Sequence, residues 1–118
     1  LPVSGAFHSL LMEYARDGLA EALTHVEIAA PSCPVYLNVT AFPTQDPTDI
    51  RRRLLEQLMA PVKWAQTLVQ MRADGIDRFV EVGTGGVLTG LVRRTLGRDA
   101  AAQTAGTAEE LEGLKREG

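Results

Sequence analysis

The chain has 118 residues, of which 45% are hydrophobic and 23% are charged, enough for one small domain with a core. Twelve basic and 15 acidic side chains give a net charge of −3, which provides no general attraction for nucleic acid or anionic membranes. The single cysteine, Cys33, excludes an intrachain disulfide and a multi-thiolate metal site. This cysteine usage is typical of a reducing compartment, and we expect no nucleic-acid partner.

No apolar run approaches the ~20 residues that cross a bilayer, and the first residues lack the basic and apolar regions of a signal peptide. We therefore expect a soluble, cytoplasmic protein that does not bind membranes. The sequence begins at Leu1 without an initiator methionine and runs directly into LPVSGAFHS. We expect it to be a fragment of a longer chain.

The first third of the chain predicts a helix followed by a strand. Apolar residues recur every three or four positions over residues 9–24, which indicates an amphipathic helix. Residues 35–40, VYLNVT, are rich in β-branched and aromatic residues and have the length of a strand. We predict that this strand is short and largely buried.

The middle of the chain predicts two helices. Residues 42–47 form a turn-rich loop, at the end of which Asp46 or Thr48 can cap a helix that continues through Leu58. Pro61 suits the first turn of the next helix, because the missing N–H costs nothing there. The apolar face of that helix is formed by Trp64, Leu68 and Met71.

The last part of the chain predicts a strand, a glycine turn and a helix. Residues 79–83 read as a strand, and the turn GTGG leads into a helix over residues 87–96. Residues 98–107 are rich in alanine, threonine and glycine and are predicted to be mobile, before a short helix over residues 108–115.

Two strands among four or five helices indicate the α/β class. Two strands so far apart in sequence do not make a self-sufficient parallel sheet. We therefore predict an incomplete parallel sheet with flanking helices, to which other strands must be added from elsewhere.

Four motifs stand in a fixed order along residues 1–96: LPVSGAFHSLLM, VYLNVT, EQLMAPVKW and FVEVGTGGVLTGL. Their order and spacing resemble the C-terminal third of malonyl-CoA:acyl-carrier-protein transacylases. The acyltransferase domains of polyketide and fatty-acid synthases are similar relatives. The resemblance implies that residues 1–97 are the C-terminal part of an α/β-hydrolase-like large subdomain, with residues 98–118 as a flexible tail that contains a short helix.

In that family a serine in a GHSxG motif attacks malonyl-CoA, and the malonyl group passes to the phosphopantetheine thiol of acyl carrier protein during fatty-acid synthesis. This sequence contains no GHSxG motif. The resemblance therefore implies that the nucleophile and the carboxylate-binding arginine lie in a missing upstream half, and that this chain alone is inactive. The implied partners are malonyl-CoA, acyl carrier protein and that upstream half. No cofactor is implied beyond the coenzyme A thioester, which is the substrate.

The resemblance gives roles to four residues. His8 corresponds to the histidine that acts as general base and acid, although a lone histidine is more often structural. Gln57 matches the glutamine whose carbonyl orients the imidazole, and otherwise reads as a surface glutamine. Phe7 resembles the phenylalanine that selects malonyl over methylmalonyl, and otherwise fills core space. Asn38 can help to shape the substrate cleft, although local backbone bonding is the more common role of an asparagine at a strand end.

Other features are weaker. The GTGG turn can bind a phosphate group, but a structural turn is the more common reading because no complete phosphate-loop motif is present. The arginines at 51–53 and 93–94 can contact the acidic carrier protein or simply form solvated helix faces. His25 and Cys33 read as structural, and no metal site is indicated.

Two other functions remain open. The chain can be a non-catalytic module that binds carrier protein on the transacylase framework. Alternatively, it can belong to the acyltransferase of a polyketide synthase, which has the same chemistry in another architecture.

Overall fold

The computed structural model describes residues 10–117. Within them, a 3-10 turn at Leu10–Met12 is followed by five α-helices and four strands. In chain order these are α1 Glu13–Thr24, β1 Val35–Tyr36, β2 Pro43–Thr44, α2 Pro47–Glu56, α3 Trp64–Ala73, β3 Arg78–Val82, α4 Val87–Leu96, β4 Ala101–Ala105 and α5 Ala108–Glu117. The contacts divide the chain into two compact units, the first ending at Thr67 and the second beginning at Leu68. The predicted α/β class is confirmed.

In the first unit, α1 packs against α2. Met12 is buried, and the 3-10 turn and α1 together reproduce the predicted amphipathic helix. Arg51, on α2, reaches the end of α1, where its guanidinium donates to the carbonyls of Leu23 and Val26. Leu23 lies in the last turn of α1 and Val26 two residues beyond its end, so this arginine adds a charged donor where the helix ends.

The prediction of a strand over residues 35–40 was wrong in extent. β1 ends at Tyr36 and pairs with β2 in an antiparallel hairpin, within the segment that we predicted to be a loop. The chain turns back because Ala41, at φ 63°, adopts the left-handed conformation, with its N–H 2.8 Å from the Leu37 carbonyl. Leu37 and Ala41 are buried, whereas Val35 is 36% exposed.

Helix α2 begins as predicted. Asp46 is its N-cap, and the Asp46 carboxylate accepts the Thr48 N–H at 3.0 Å. The next helix begins at Trp64 and not at Pro61, which corrects the prediction. The reason lies in the hydrogen bonds of Lys63: its N–H donates to the Asn38 carbonyl at 3.1 Å, and its own carbonyl accepts the Thr67 N–H at 3.0 Å. Lys63 is therefore the point where the chain leaves the hairpin loop and enters the helix.

The second unit is built on the parallel pair of β3 and β4, joined through α4. Helix α4 lies where it was predicted, and β3 begins and ends one residue earlier than predicted. Strand β4 was not predicted, because residues 98–107 were predicted to be irregular and mobile. This was wrong: all five residues of β4 pair with β3, from Arg78 beside Ala101 to Val82 beside Ala105. Alanine and glutamine are poor strand formers, so the pairing with β3 determines this conformation.

The small parallel pair agrees with the expected incomplete sheet. That this sheet belongs to a hydrolase-like large subdomain stays a prediction. The predicted boundary at residue 97 between that subdomain and a flexible tail also stays untested as a domain boundary. No helix within residues 10–117 combines the length and apolar character of a membrane span. The same residues contain no group of three metal-ligating side chains.

The bond between Arg51 and the end of α1 can be tested by substitution. We expect Arg51→Ala to lower the free energy of unfolding by about 1–2 kcal/mol, because two carbonyls lose a charged donor. Arg52→Ala is the matched control, since its side chain is 64% exposed and pairs with Asp49 on its own helix. That change should stay within about 0.5 kcal/mol. Urea unfolding followed by circular dichroism measures both, and equal losses would contradict the role of Arg51.

Candidate active site

Two of the four predicted site residues lie in the described part of the chain. Asn38 lies in the loop between β1 and β2, and Gln57 directly follows the last residue of α2. His8 and Phe7 lie outside the described residues, so their roles stay predictions.

The structure brings Asn38 and Gln57 together. The Asn38 side-chain nitrogen, Nδ2, donates a hydrogen bond to the Gln57 side-chain oxygen, Oε1, at 3.2 Å. The two residues are 19 positions apart, and the contact is partly buried. The two predictions therefore converge on one polar contact between the hairpin loop and the end of α2.

The backbone on each side of this contact is held in place. The Asn38 carbonyl accepts the Lys63 N–H, and the turn at Ala41 anchors the other side of the loop. Gln57 is the C-cap of α2, where its N–H donates to the Arg53 carbonyl at 2.9 Å. Because both backbones are fixed, the two side chains start from defined positions.

A groove of about 410 Å³ lies in the same unit. It is lined by residues from α1, the hairpin loop, α2 and the turn after it: Arg16, Val39, Arg52, Leu55, Glu56, Met59 and Ala60. The lining includes the sequence neighbours of Asn38 and Gln57 but neither residue itself. The polar contact therefore lies beside the groove and not in its wall.

The arginines on α2 are engaged within the first unit. Arg52 and Arg53 both pair with Asp49, and Arg53 also pairs with Glu56 at 2.8 Å. The hydrogen bond from Arg52 is the main cause that lowers the pKa of Asp49. The bond to Glu56 is the main cause that raises the pKa of Arg53. In the second unit, Arg93 donates to the Ala102 carbonyl at 2.8 Å. A role for these arginines in binding carrier protein stays a prediction.

The start of helix α4, which follows the glycine turn of the second unit, is capped by a side chain of the same unit. The carboxylate of Glu81 accepts the N–H of Leu88 at 3.1 Å and both the N–H and hydroxyl of Thr89 at 2.8 Å. A phosphate at the start of α4 would compete with this carboxylate for the same donors. These N–H groups at the start of α4 therefore have a structural role as partners of Glu81.

Sequence reasoning missed the role of Glu81. The glutamate two residues before GTGG could have indicated this role. The turn reverses the chain direction, which brings the carboxylate on the strand close to the first N–H groups of the helix. Gly83 and Gly85 make that turn with φ of 127° and 86°, a conformation that disfavours other residues.

The chain matches no protein-family profile. It is 43% identical to a polyketide biosynthesis protein, ThaF, of Burkholderia thailandensis over 105 residues, which are 89% of this chain and 9% of that protein. It is 40% identical to the malonyl CoA-acyl carrier protein transacylase of Bacillus subtilis over 94 residues, which are 80% of this chain and 30% of that enzyme.

Solved structures agree in fold. The acyl-carrier-protein S-malonyltransferase of Bartonella henselae superposes with a TM-score of 0.89 and 42% identity, over 98% of this chain and 37% of that one. The chain belongs to the malonyl-CoA:acyl-carrier-protein transacylase family. A transacylase bound to a type II polyketide acyl carrier protein matches with a TM-score of 0.87 and 35% identity, over 98% of this chain and 38% of that one. The chain thus spans 37–38% of the length of these two transacylase structures.

The Glu81 contacts predict a pH-dependent stability. Hydrogen bonds, first from the Thr89 N–H, lower the pKa of Glu81 from its ordinary value of 4.5. A carboxylate with a lowered folded-state pKa stabilises the fold above its ordinary pKa, and this contribution disappears as the pH falls through the folded value. We therefore expect Glu81→Gln to reduce the free energy of unfolding at pH 7, with a smaller difference from the wild type below about pH 4.

Urea titrations at several pH values measure this difference. The control is Glu27→Gln, which removes the same charge from an exposed residue outside the helices and strands. A gap between Glu81→Gln and wild type that stays constant with pH would contradict the assignment.

Proposed function

We propose that the intact protein containing this chain transfers malonyl from coenzyme A to the phosphopantetheine thiol of acyl carrier protein. The observation that carries the proposal is the 40% identity with the Bacillus subtilis transacylase across 80% of the chain. The motif around His8 and the contact between Asn38 and Gln57 support it. The chemistry is acyl transfer through a covalent malonyl-serine intermediate.

In the proposed mechanism, His8 moves one proton in each half-reaction. As the serine oxygen attacks the thioester carbon, His8 takes the hydroxyl proton and returns it to the departing coenzyme A thiolate. The carrier-protein thiol then gives its proton to His8 and attacks the malonyl-serine ester, and His8 returns the proton to serine. An imidazole suits both steps because its unperturbed pKa of about 6.5 lies close to neutral pH.

Gln57 has an orienting role in this proposal. Its carbonyl accepts the other ring N–H of His8, which keeps the first ring nitrogen directed at the serine. The aspartate of a serine-protease triad performs the same task with a charge. A neutral carbonyl orients the ring without adding a full negative charge beside it.

The nucleophile and the arginine that binds the malonyl carboxylate belong to the part of the transacylase that this chain does not span. An isolated base without a nucleophile and oxyanion donors contributes little to catalysis, so the chain alone is expected to be inactive. The proposed partners are malonyl-CoA, acyl carrier protein and the remaining part of the transacylase, in the cytoplasm. The structure of a transacylase bound to its carrier protein supports the second of these partners.

A polyketide pathway is the second candidate. It is favoured by the 43% identity with the polyketide biosynthesis protein ThaF. The reaction would be the same, but the acceptor would be a polyketide carrier protein. Transfer rates to carrier proteins from the two pathways, measured with the same enzyme, distinguish the candidates.

The first test measures two properties of one purified sample, its intact mass and its loading with malonyl from malonyl-CoA. We expect a mass near that of a full-length transacylase, and transient malonylation of the wild type from malonyl-CoA. His8→Ala should reduce the loading rate by at least about 100-fold, which is the contribution of a general base. His25→Ala is the matched control, because His25 lies at the end of α1 and has no proposed role. Loading by a protein of only these 118 residues would refute the assignment of the nucleophile to another part of the transacylase.

Phe7 predicts substrate selectivity. We expect Phe7→Ala to improve transfer of methylmalonyl relative to malonyl by about 10-fold or more, because an apolar pocket rejects one extra methyl group by a modest amount. Competition between the two thioesters measures the ratio directly, and Phe42→Ala, at a residue 56% exposed, is the control. An unchanged ratio would indicate that Phe7 fills core space and does not select the substrate.

A further inference from the structure

We infer that residues 101–117, which comprise β4 and α5, form a strap that closes on the GTGG turn between β3 and α4. The strap contacts the turn closely at Gly106, and helix α5 holds that residue in place. The inference does not depend on the proposed function, because it concerns only contacts within the second unit. It gives a defined role to a segment that the sequence predicted to be a flexible tail.

The carboxyl ends of β3 and β4 approach each other closely. The Gly83 N–H donates to the Ala105 carbonyl at 3.2 Å, which extends the pairing of the two strands by one residue. Directly after Ala105, Gly106 lies against the Gly83 carbonyl, and a side-chain carbon at position 106 would be 2.5 Å from that oxygen. Such a distance is too short for a carbon and an oxygen that are not bonded, so only glycine fits here without a shift of the backbone.

Helix α5 is bonded to the same glycine. The Gly106 N–H donates to the Glu110 carboxylate at 2.6 Å, and the Glu110 N–H donates to the Thr107 hydroxyl at 3.1 Å. Reciprocal bonds of this kind resemble the capping box that begins many helices. Here they connect the first turn of α5 with the residue that touches Gly83. The start of the helix and the glycine turn are therefore linked through Gly106.

The close approach is confined to one position of the turn. A side-chain carbon at Gly85 would have nothing within 4 Å, and one at Gly86 would meet the Thr104 methyl group at an ordinary 3.7 Å. The turn and the strap instead border a cavity of about 260 Å³, lined by Gly83, Thr84, Gly85, Thr104, Gly106, Thr107 and Glu110. A change at Gly106 should therefore alter the point at which the strap holds the turn.

The turn is held at its other end by Glu81. The Glu81 carboxylate accepts the N–H groups of Leu88 and Thr89 at the start of α4. Gly83 and Gly85 lie between these two attachments, with φ of 127° and 86°. Release of the strap would leave only the Glu81 attachment. The amides of the turn should then exchange faster, while the first unit stays folded.

The test is amide hydrogen exchange of the full-length transacylase, followed by mass spectrometry. Gly106→Ala should raise the exchange rate of residues 83–86 by about 5-fold or more, since an overpacked contact forces the backbone to move. Gly113→Ala is the matched control, because a side-chain carbon at this position of α5 would have nothing within 4 Å. It should leave the exchange of the turn within about 2-fold and slow the exchange of α5, because alanine favours a helix more than glycine does.

A second pair of variants removes the hydrogen bond without adding atoms, in case Gly106→Ala does not fold. Glu110→Ala deletes the acceptor of the Gly106 N–H and should raise the exchange rate of residues 83–86 by about 3-fold or more. Glu109→Ala is its control, since both glutamates lie in the first turn of α5 and interact equally with the helix dipole. That change should leave the turn within about 2-fold of the wild type.

Three outcomes would overturn the inference. Faster exchange of residues 101–117 in Glu110→Ala, with residues 83–86 unchanged, would show that the strap moves independently of the turn. An equal rise in Glu109→Ala would assign the effect to the stability of α5 and not to the contact at Gly106. An equal rise throughout the chain, residues 10–67 included, would mean global destabilisation. None of these measurements involves malonyl transfer, so they stand apart from the result for His8→Ala.

Discussion

The hydrogen bond from the Lys63 N–H to the Asn38 carbonyl is the constraint that organises the first unit. It fixes the hairpin loop beside the start of α3, and the same lysine's carbonyl then accepts the first helical N–H, from Thr67. The Asn38 side chain bonds to Gln57 at the end of α2. One asparagine therefore connects three segments through its backbone oxygen and its side-chain nitrogen. Displacement of this loop would alter both the start of α3 and the orientation of the Gln57 amide.

Elements with strong local signals could be predicted from the sequence. Helix α4 has apolar periodicity and follows a glycine turn, and it was predicted at its observed position. Strand β3 contains Phe79, Val80 and Val82, and it was predicted to within one residue. Strand β2 and strand β4 carry no such signal. β4 is rich in alanine and is extended because all of its residues pair with β3, a long-range cause that a local window does not contain. The left-handed turn at Ala41 could not be predicted either, because alanine rarely adopts that conformation without tertiary contacts that impose it.

The site was predictable only in part. The resemblance to transacylases singled out both Asn38 and Gln57, but neither motif spacing nor residue type indicated that their side chains meet. Their contact depends on the hairpin, which was itself mispredicted as a longer strand. Glu81 was missed because its function depends on a turn that brings the strand's carboxylate to the start of the next helix. Residues whose roles arise from tertiary contact are therefore the ones that a single sequence conceals.

The β3–β4 pair has two different faces, and the direction of the Glu81 side chain identifies the face that α4 covers. Alternate residues of a strand point to opposite sides. Glu81 bonds to Thr89 on α4, so α4 lies on the side of β3 to which Glu81 points. Val80 and Val82 point to the other side, where they are 36% and 69% exposed. Parallel strands are normally covered on both faces, so the exposed valines mark the face of β3 that the described residues leave uncovered.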